Sequence, residues 1–224
     1  MHYSLLAVDY DGTLALNGRV APESLTALQR LRDSGRRSLL ITGRQIGDLH
    51  KVFSKPSLFD CIVAENGGVL YMPKDDREVL LAEPPSSAFI TGLASRMVEP
   101  LSIGRVVIAT LIREQEKVQQ AIAELGLPCQ LIINREALMV LPPNVDKASG
   151  LRHAVKELGL SLQETVGVGD AENDAAFLRL CGCSIAVANA VPSLRQQTTL
   201  RTAADNGDGV RSVIDELVAN DLSA

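Results

Sequence analysis

Short, almost continuous apolar runs alternate with helical patterns along this 224-residue chain, and this alternation constrains the fold more than any other feature. The first run covers residues 4–9, and the helical pattern after it carries Leu25, Leu28 and Leu31 on one face. Strands that are apolar throughout and separated by helices are typical of a parallel sheet covered on both faces. We therefore predict an α/β fold with a doubly wound parallel sheet.

The middle of the chain has a different pattern. Residues 73–85 are polar and bounded by prolines, which is typical of a crossing between domains. The segment after it contains two helical patterns and three strand patterns, the strands at residues 103–110, 129–134 and 137–141. The first alternation resumes after Pro142 and Pro143. We therefore predict a core of residues 1–80 and 143–224, with an inserted α+β cap domain of residues 81–142.

The composition disfavours several classes of partner. The chain has 22 Lys+Arg against 27 Asp+Glu, a formal net charge of −5, whereas nucleic acids and anionic membranes attract basic faces. No segment approaches the roughly 20 apolar residues that span a bilayer, and residues 1–6 lack the basic region of a signal peptide. We expect a cytoplasmic protein with no nucleic-acid or membrane partner. The oligomeric state stays open.

Two carboxylates follow the first apolar run, in the motif Asp9-Tyr10-Asp11-Gly12-Thr13. Alternate residues of an extended segment point the same way, so Asp9 and Asp11 can face one pocket. Carboxylates held so close repel one another unless a cation lies between them or one carries a proton. A solvated turn is the simpler interpretation, but the whole motif favours a site with two acidic groups.

Two further motifs offer groups that bind anions. Thr42, Gly43 and Arg44 end the second apolar run, and a hydroxyl with free N–H groups ahead of a helix suits an anion. An ordinary helix N-cap by Thr42 is the alternative. Lys147 opens a helix, where a cation is unfavourable, so it hints at an anionic partner. Most lysines are nevertheless solvated surface residues.

The fourth motif runs from Gly167 to Asp174. It is not a dinucleotide-binding fingerprint, because Glu172 stands where a third glycine is required. Asp170, Glu172, Asn173 and Asp174 instead supply hard oxygen ligands, which fit Mg²⁺. All four motifs follow predicted strands or open helices at the edge where open α/β sheets bind ligands.

Together and in this order, the four motifs resemble those of the haloacid dehalogenase-like (HAD) phosphatase superfamily, and the resemblance covers the whole chain. The insert between the second and third motifs is similar to the type IIB cap arrangement of Cof-like proteins. The segments at residues 65–68 and 205–210 also look like that subfamily. The short insert resembles the caps of phosphoglycolate phosphatases and small sugar-phosphate phosphatases.

The resemblance implies a Mg²⁺-dependent hydrolase of small phosphorylated metabolites that works through an aspartyl-phosphate. Asp9 would be the nucleophile, and Asp11 the general acid and base. The remaining implied roles are phosphate binding by Thr42, Gly43, Lys147 and Asn173, and Mg²⁺ binding by Asp9, the Asp11 carbonyl, Asp170 and, in support, Asp174.

In this superfamily the cap sets substrate specificity, so the leaving group is expected to contact cap residues. The polar candidates are Arg105, Arg113, Asn134 and Arg135, although each one singly suits a solvated polar face. Two other functions stay open. One is a phosphomannomutase-like phosphotransferase, which would need a sugar bisphosphate activator, and the other is a sugar-phosphate-binding module without turnover.

Overall fold

The computed structural model describes residues 1–134 and 136–223, which form two β-sheets and the helices packed on them. The strands are β1 (Leu5–Asp9), β2 (Arg37–Ile41), β3 (Cys61–Ala64), β4 (Val69–Met72), β5 (Arg77–Leu80), β6 (Ser102–Ile103), β7 (Ile108–Leu111), β8 (Gln130–Asn134), β9 (Ala137–Leu141), β10 (Thr165–Gly169), β11 (Cys183–Ala186) and β12 (Leu200–Arg201). The helices are α1 (Pro22–Asp33), α2 (Ile46–Val52), α3 (Ser87–Ser95), α4 (Gln115–Leu125), α5 (Lys147–Leu158), α6 (Ala175–Leu178), α7 (Pro192–Arg195) and α8 (Asn206–Asn220).

The larger sheet has eight strands in the order β12-β11-β10-β1-β2-β3-β4-β5. Neighbouring strands from β12 to β3 pair in parallel, and β4 and β5 continue the sheet as an antiparallel meander. All five residues of β1 are buried, as the unbroken apolar run predicts for a strand covered on both faces. The predicted doubly wound α/β fold is confirmed.

The order of the strands creates a switch point between β1 and β10. From β1 the chain builds the sheet outward through β2 and β3, and it later returns to add β10, β11 and β12 on the other side of β1. Crossover connections leave these two adjacent strands in opposite directions, so a crevice opens beyond their carboxyl ends. Asp9 ends β1 and Asp170 directly follows β10, which brings two of the sequence motifs to this crevice.

The smaller sheet is antiparallel, with the order β6-β7-β9-β8. Successive side chains along a strand of this sheet point to opposite faces. Leu138 and Val140 pack in a small apolar core with residues of α3 and α4, whereas Met139 and Leu141 join the large core of the first sheet. This sheet with its two helices is the predicted α+β insert, and its inner face closes on the larger sheet.

Three local predictions differ from the structure. The polar segment 73–85 contains β5, which is half-buried or exposed along its length and forms an edge of the sheet. The predicted strand 103–110 is interrupted between β6 and β7 by a bend. The predicted helix from Asn173 starts as a single turn, Glu172–Asp174, before the short helix α6. Edge position and bends leave little hydrophobic pattern in a sequence, which explains these differences.

No helix in the described ranges 1–134 and 136–223 is long and apolar enough to cross a membrane. The cytoplasmic location stays a prediction.

Candidate active site

Three buried carboxylates meet at the switch point of the larger sheet. Asp9, Asp170 and Asp174 are each no more than 4% exposed, and one oxygen of each lies within 4.8 Å of the others. Asp9 comes from the end of β1, and the other two from the loop and turn after β10. Burying three like charges in one place is unfavourable unless cations accompany them.

Lys147 supplies one of these cations. Its side chain is 2% exposed, and its Nζ donates to Asp9 Oδ1 at 2.5 Å and to Asp174 Oδ1 at 2.6 Å. Burial alone would lower the pKa of Lys147, but the carboxylates of Asp174 and Asp9 raise it above its usual range. The ammonium group is therefore charged, which accounts for a lysine at the first position of α5.

The environment of Asp9 is unfavourable for a negative charge. Burial raises the pKa of Asp9 well above its usual range, and the neighbouring carboxylate of Asp174 raises it further. Lys147 acts in the opposite direction but does not cancel these effects. With the three carboxylates ionised and one ammonium, the cluster has a formal charge of −2.

The oxygens of Asp174 are held by the protein itself. Asp174 Oδ2 accepts hydrogen bonds from the backbone N–H groups of Asp170 and Ala171, at 2.9 and 3.0 Å, while Oδ1 accepts from Lys147. A Cβ atom on Gly169 would lie 2.7 Å from Cβ of Asp174, so glycine is required there for close approach. Thr13 donates its hydroxyl hydrogen to Asp170 Oδ1 at 2.9 Å. Asp174 thus orients the loop that carries Asp170.

Asp11 lies at the mouth of the crevice rather than in the buried cluster. Its two oxygens accept hydrogen bonds from Arg44 Nε and Nη2, at 2.6 and 2.7 Å. The Arg44 guanidinium also lies 5.6 Å from the ring centroid of Tyr10, whose hydroxyl donates to the carbonyl of Gly18. This bidentate ion pair fixes the orientation of the Asp11 carboxylate.

A cavity of about 180 Å³ connects these groups. It is lined by the predicted site residues Asp9, Asp11, Gly43, Asn134, Lys147, Asp170 and Asn173, together with Arg44, Ala109, Ala137, Met139 and Ala171. Thr42 is buried beside it, and its hydroxyl oxygen accepts a hydrogen bond from the N–H of Arg44. Residues from all four motifs therefore converge on one place.

Two amide side chains in the cavity have polar atoms without a protein partner. Both the Oδ1 and the Nδ2 of Asn173 are buried and unpaired, and so is the Oδ1 of Asn134. Buried polar atoms are nearly always hydrogen-bonded in folded proteins, so such atoms indicate a site for a polar ligand or water. Strand β8, which ends in Asn134, packs against the turn that holds Asn173.

The smaller sheet forms the roof of the cavity. The inward-facing residues Ala109, Ala137 and Met139 lie over the carboxylates, next to Asn134. Ala109 and Met139 are paired across β7 and β9. The roof is mostly apolar and leaves a narrow space above Asp9 and Asp11.

Two of the other cap candidates, Arg105 and Arg113, are not brought to this cavity. Arg105 lies at the outer edge of the two sheets, where its guanidinium faces Glu78 at 3.9 Å. Arg113 pairs with Glu114 and donates to the carbonyl of Glu99. Arg135 lies outside the residues that the structure describes.

The carboxylate cluster fits a hard divalent cation. Its donors are oxygen atoms only, and its formal charge of −2 matches one divalent ion. Asp9, Asp170 and Asp174 each place an oxygen where such an ion could be held, and the hydrogen bonds that Asp174 accepts from Asp170 and Ala171 also orient the loop of Asp170.

Some site residues were not found from the sequence. Arg44 stood in a quoted motif without a role, and the roof residues Ala109, Ala137 and Met139 carry no chemical signal at all. They lie within the predicted strands 103–110 and 137–141, and in the structure they alternate with Ile108, Leu138 and Val140, which face the smaller core.

Comparison with known proteins agrees with this geometry. The family model described as haloacid dehalogenase-like hydrolase matches residues 6–94 and 101–214. A phosphoglycolate phosphatase of Methanothermobacter thermautotrophicus is 28% identical over 215 residues, which cover 93% of this chain and 96% of that protein. A haloacid dehalogenase-like hydrolase from Bacteroides thetaiotaomicron has a similar structure, with a TM-score of 0.81, 17% identity and coverage of 96% and 99% of the two chains. A HAD subclass IIB sugar phosphatase matches with a TM-score of 0.76, 17% identity and coverage of 96% and 98%.

Proposed function

Because the chain belongs to the haloacid dehalogenase-like hydrolase family, we propose that it is a Mg²⁺-dependent phosphomonoester hydrolase that acts on small phosphorylated metabolites. Residues 1–80 and 143–224 would form the catalytic core, and residues 81–142 the cap that selects the substrate. The observation that carries the proposal is the buried cluster in which Lys147 bridges Asp9 and Asp174 beside Asp170. A purely structural core has no use for three buried carboxylates with one ammonium.

Asp9 is the proposed nucleophile. One of its oxygens would attack phosphorus, the bond from phosphorus to the ester oxygen would break, and an aspartyl-phosphate would form. Asp9 is the last residue of β1, and its side chain lines the cavity. The phosphorus of an ester bound in the cavity would therefore be reached by the carboxylate without rearrangement of the backbone. Lys147 would neutralise part of the negative charge that phosphate and carboxylate bring together.

Asp11 is the proposed general acid and base. It would donate a proton to the departing ester oxygen, and then accept a proton from the water that attacks the phosphorus of the aspartyl-phosphate. That second attack releases inorganic phosphate and restores the Asp9 carboxylate. Arg44 pairs with Asp11 at the mouth of the cavity, so this ion pair would open when Asp11 takes up the proton that it donates to the leaving group.

Mg²⁺ would be held by the side chains of Asp9 and Asp170 and by the backbone carbonyl of Asp11. When bound, it supplies positive charge that stabilises the transferred phosphoryl group. Asn173 would bind a phosphoryl oxygen through its Nδ2, which has no protein partner, and Thr42 and Gly43 would contribute a hydroxyl and an N–H group.

The size of the cavity favours a small leaving group. Its volume of about 180 Å³ must hold the phosphoryl group and the rest of the ester under Ala109, Ala137 and Met139. A two-carbon ester such as phosphoglycolate is therefore the first candidate, and the similar phosphatase from M. thermautotrophicus supports it. Asn134 is the proposed cap residue that contacts the leaving group.

The test is phosphate release from a panel of small phosphomonoesters with Mg²⁺, with EDTA, and with Asp9→Asn. We expect one preferred ester, complete loss with EDTA, and a loss on the order of 10³-fold or more in the variant. Asp215→Asn is a matched control, because Asp215 is an exposed partner of Arg30 on the helix α8. Activity retained by Asp9→Asn would refute the nucleophile. Hydrolysis that needs a sugar bisphosphate would instead favour a phosphotransferase.

A further inference from the structure

Glu65 lies beside a strand of the larger sheet, but its carboxylate accepts hydrogen bonds from the backbone of the segment that joins β6 and β7 of the smaller sheet. It directly follows β3, and its side chain is buried. Oε1 accepts a hydrogen bond from the N–H of Arg105 at 2.9 Å, and Oε2 accepts from the N–H groups of Val106 and Val107 at 2.8 and 3.0 Å. Three successive N–H groups that converge on one anion form a nest, here residues 105–107.

The nest is shaped to receive this carboxylate. The bend between β6 and β7 is closed by a hydrogen bond from the N–H of Gly104 to the carbonyl of Val107. A Cβ atom on Gly104 would lie 2.6 to 2.8 Å from the carboxylate atoms of Glu65, so any larger residue would push the nest away. This contact also explains the interruption of the predicted strand 103–110.

On the other side, Glu65 lies against residues 42–44, which are proposed to bind phosphate and are called the phosphate-binding loop below. The N–H of Glu65 donates to the carbonyl of Arg44, and the N–H of Asn66 donates to the carbonyl of Thr42, at 2.9 and 3.0 Å. Both Glu65 and Asn66 have positive φ angles, 52° and 56°, a backbone conformation that is uncommon for residues other than glycine. The turn thus holds an unusual geometry while it contacts the loop beside the cavity.

The nest continues directly into the roof of the cavity. Ala109 lies two residues after Val107 on β7 and pairs with Met139 on β9. Both residues line the cavity, and the Sδ of Met139 would lie 3.4 Å from a Cβ atom placed on Gly43. A shift of the nest relative to Glu65 therefore moves the roof relative to the phosphate-binding loop.

We propose that Glu65 is a positioning residue that sets the height of the cap over the catalytic cavity by fixing the nest at residues 105–107. This inference rests on the proposed hydrolase function. The cap is held by its two linkers and by apolar residues such as Met139 and Leu141, which pack in the large core without directional bonds. Glu65 adds three hydrogen bonds close to the roof. Small esters, which need the roof in place, depend on that attachment more than aryl esters do.

The test compares Glu65→Ala and Gly104→Ala with wild type on phosphoglycolate and on p-nitrophenyl phosphate. We expect each variant to lower kcat/KM for phosphoglycolate about tenfold, mainly through KM, while kcat/KM for the aryl ester changes by less than about threefold. In the Glu65→Ala background, Gly104→Ala should add less than about twofold, because the new Cβ no longer meets a carboxylate. Glu124→Gln is the matched control, since it removes one carboxylate charge from the cap at an exposed ion pair with Arg96.

Amide hydrogen exchange gives a readout that does not depend on catalysis. The N–H groups of Val106 and Val107 should lose protection in Glu65→Ala, while those of β1 and β10 keep it. If Glu65→Ala does not fold, Glu65→Gln takes its place, because it keeps the size of the side chain but offers one acceptor oxygen where the nest uses two. Equal losses for both esters, additive effects in the double variant or unchanged exchange would overturn the inference. Absence of hydrolysis by wild type would refute the proposed function instead, and exchange alone would then decide whether Glu65 holds the nest.

Discussion

Among single residues, Lys147 has the largest effect on the charge balance of the site. Its ammonium offsets part of the repulsion among Asp9, Asp170 and Asp174, and it is completely enclosed by protein. Lys147→Met keeps the length and apolar stem but leaves the carboxylates without that cation. We expect a loss of about 3–5 kcal/mol in the free energy of unfolding, measured by urea denaturation without metal. A variant as stable as wild type would contradict the assigned ion pairs.

A second residue-scale prediction concerns Asp221, which joins the end of the chain to its beginning. The backbone N–H of His2 and the guanidinium of Arg36 lower the pKa of Asp221 to about 2. Because the unfolded pKa is about 3.9, the ionised carboxylate stabilises the folded state above that pH. The stabilisation is lost as the pH falls from about 4 towards 2.

Asp221→Asn should therefore destabilise the protein by about 1–2 kcal/mol at pH 6. The difference from wild type should shrink between pH 4 and pH 2, as measured by chemical denaturation at several pH values. The exposed Asp215, paired with Arg30, provides the control Asp215→Asn, for which we expect less than about 0.5 kcal/mol. A difference that is independent of pH would rule out the ion pair as its cause.

At the scale of secondary-structure elements, two glycines in helices should respond to alanine in opposite directions. A Cβ on Gly150 in α5 would lie 2.4 Å from Val63 Cγ1 and 2.9 Å from the Cα of Gly67, so the helix packs directly on β3. A Cβ on Gly47 in α2 would meet nothing within 4 Å. The helix propensity of alanine favours both substitutions by up to about 1 kcal/mol.

Gly150→Ala should nevertheless lower the free energy of unfolding, because overpacking of about 1–3 kcal/mol exceeds the gain in propensity. Gly47→Ala should raise it by about 0.5–1 kcal/mol. Thermal unfolding of the two variants against wild type measures both effects. If Gly150→Ala is also stabilising, then α5 does not lie as close to β3 as the structure has it.

The elements also explain which features could be predicted from the sequence. Strands β1 and β10 are buried on both faces, so their apolar runs and the acidic residues after them were visible in the sequence. Strand β5 was missed because a polar edge strand has neither an apolar run nor a clear alternation. Glu65 belongs to the segment 65–68 that resembles the subfamily, but the sequence gives it no role, because its partners lie about forty residues away along the chain. Contacts of that kind follow from the packing of two sheets, which a single sequence does not display.

At the scale of the whole molecule, the site joins segments from both ends of the chain, so a ligand that binds it stabilises the complete fold. Asp9 lies near the start of the chain and Asp170 more than 150 residues later, yet both belong to one cluster. An ion that bridges them binds the folded state and not the separated segments of the unfolded chain. Its binding free energy therefore adds to stability by mass action.

Mg²⁺ should accordingly raise the melting temperature of the wild-type protein. A concentration about 100 times the Kd adds about 2.7 kcal/mol, which corresponds to roughly 5–10 °C for a chain of this size. Asp170→Asn should abolish most of this rise, because it removes one of the carboxylates that could hold the ion directly. The control is Asp208→Asn, because Asp208 is exposed and pairs with Arg211. This variant should keep the rise in melting temperature. Differential scanning fluorimetry with increasing Mg²⁺ measures the effect, and an equal rise in both variants would mean that the ion acts elsewhere than between β1 and β10.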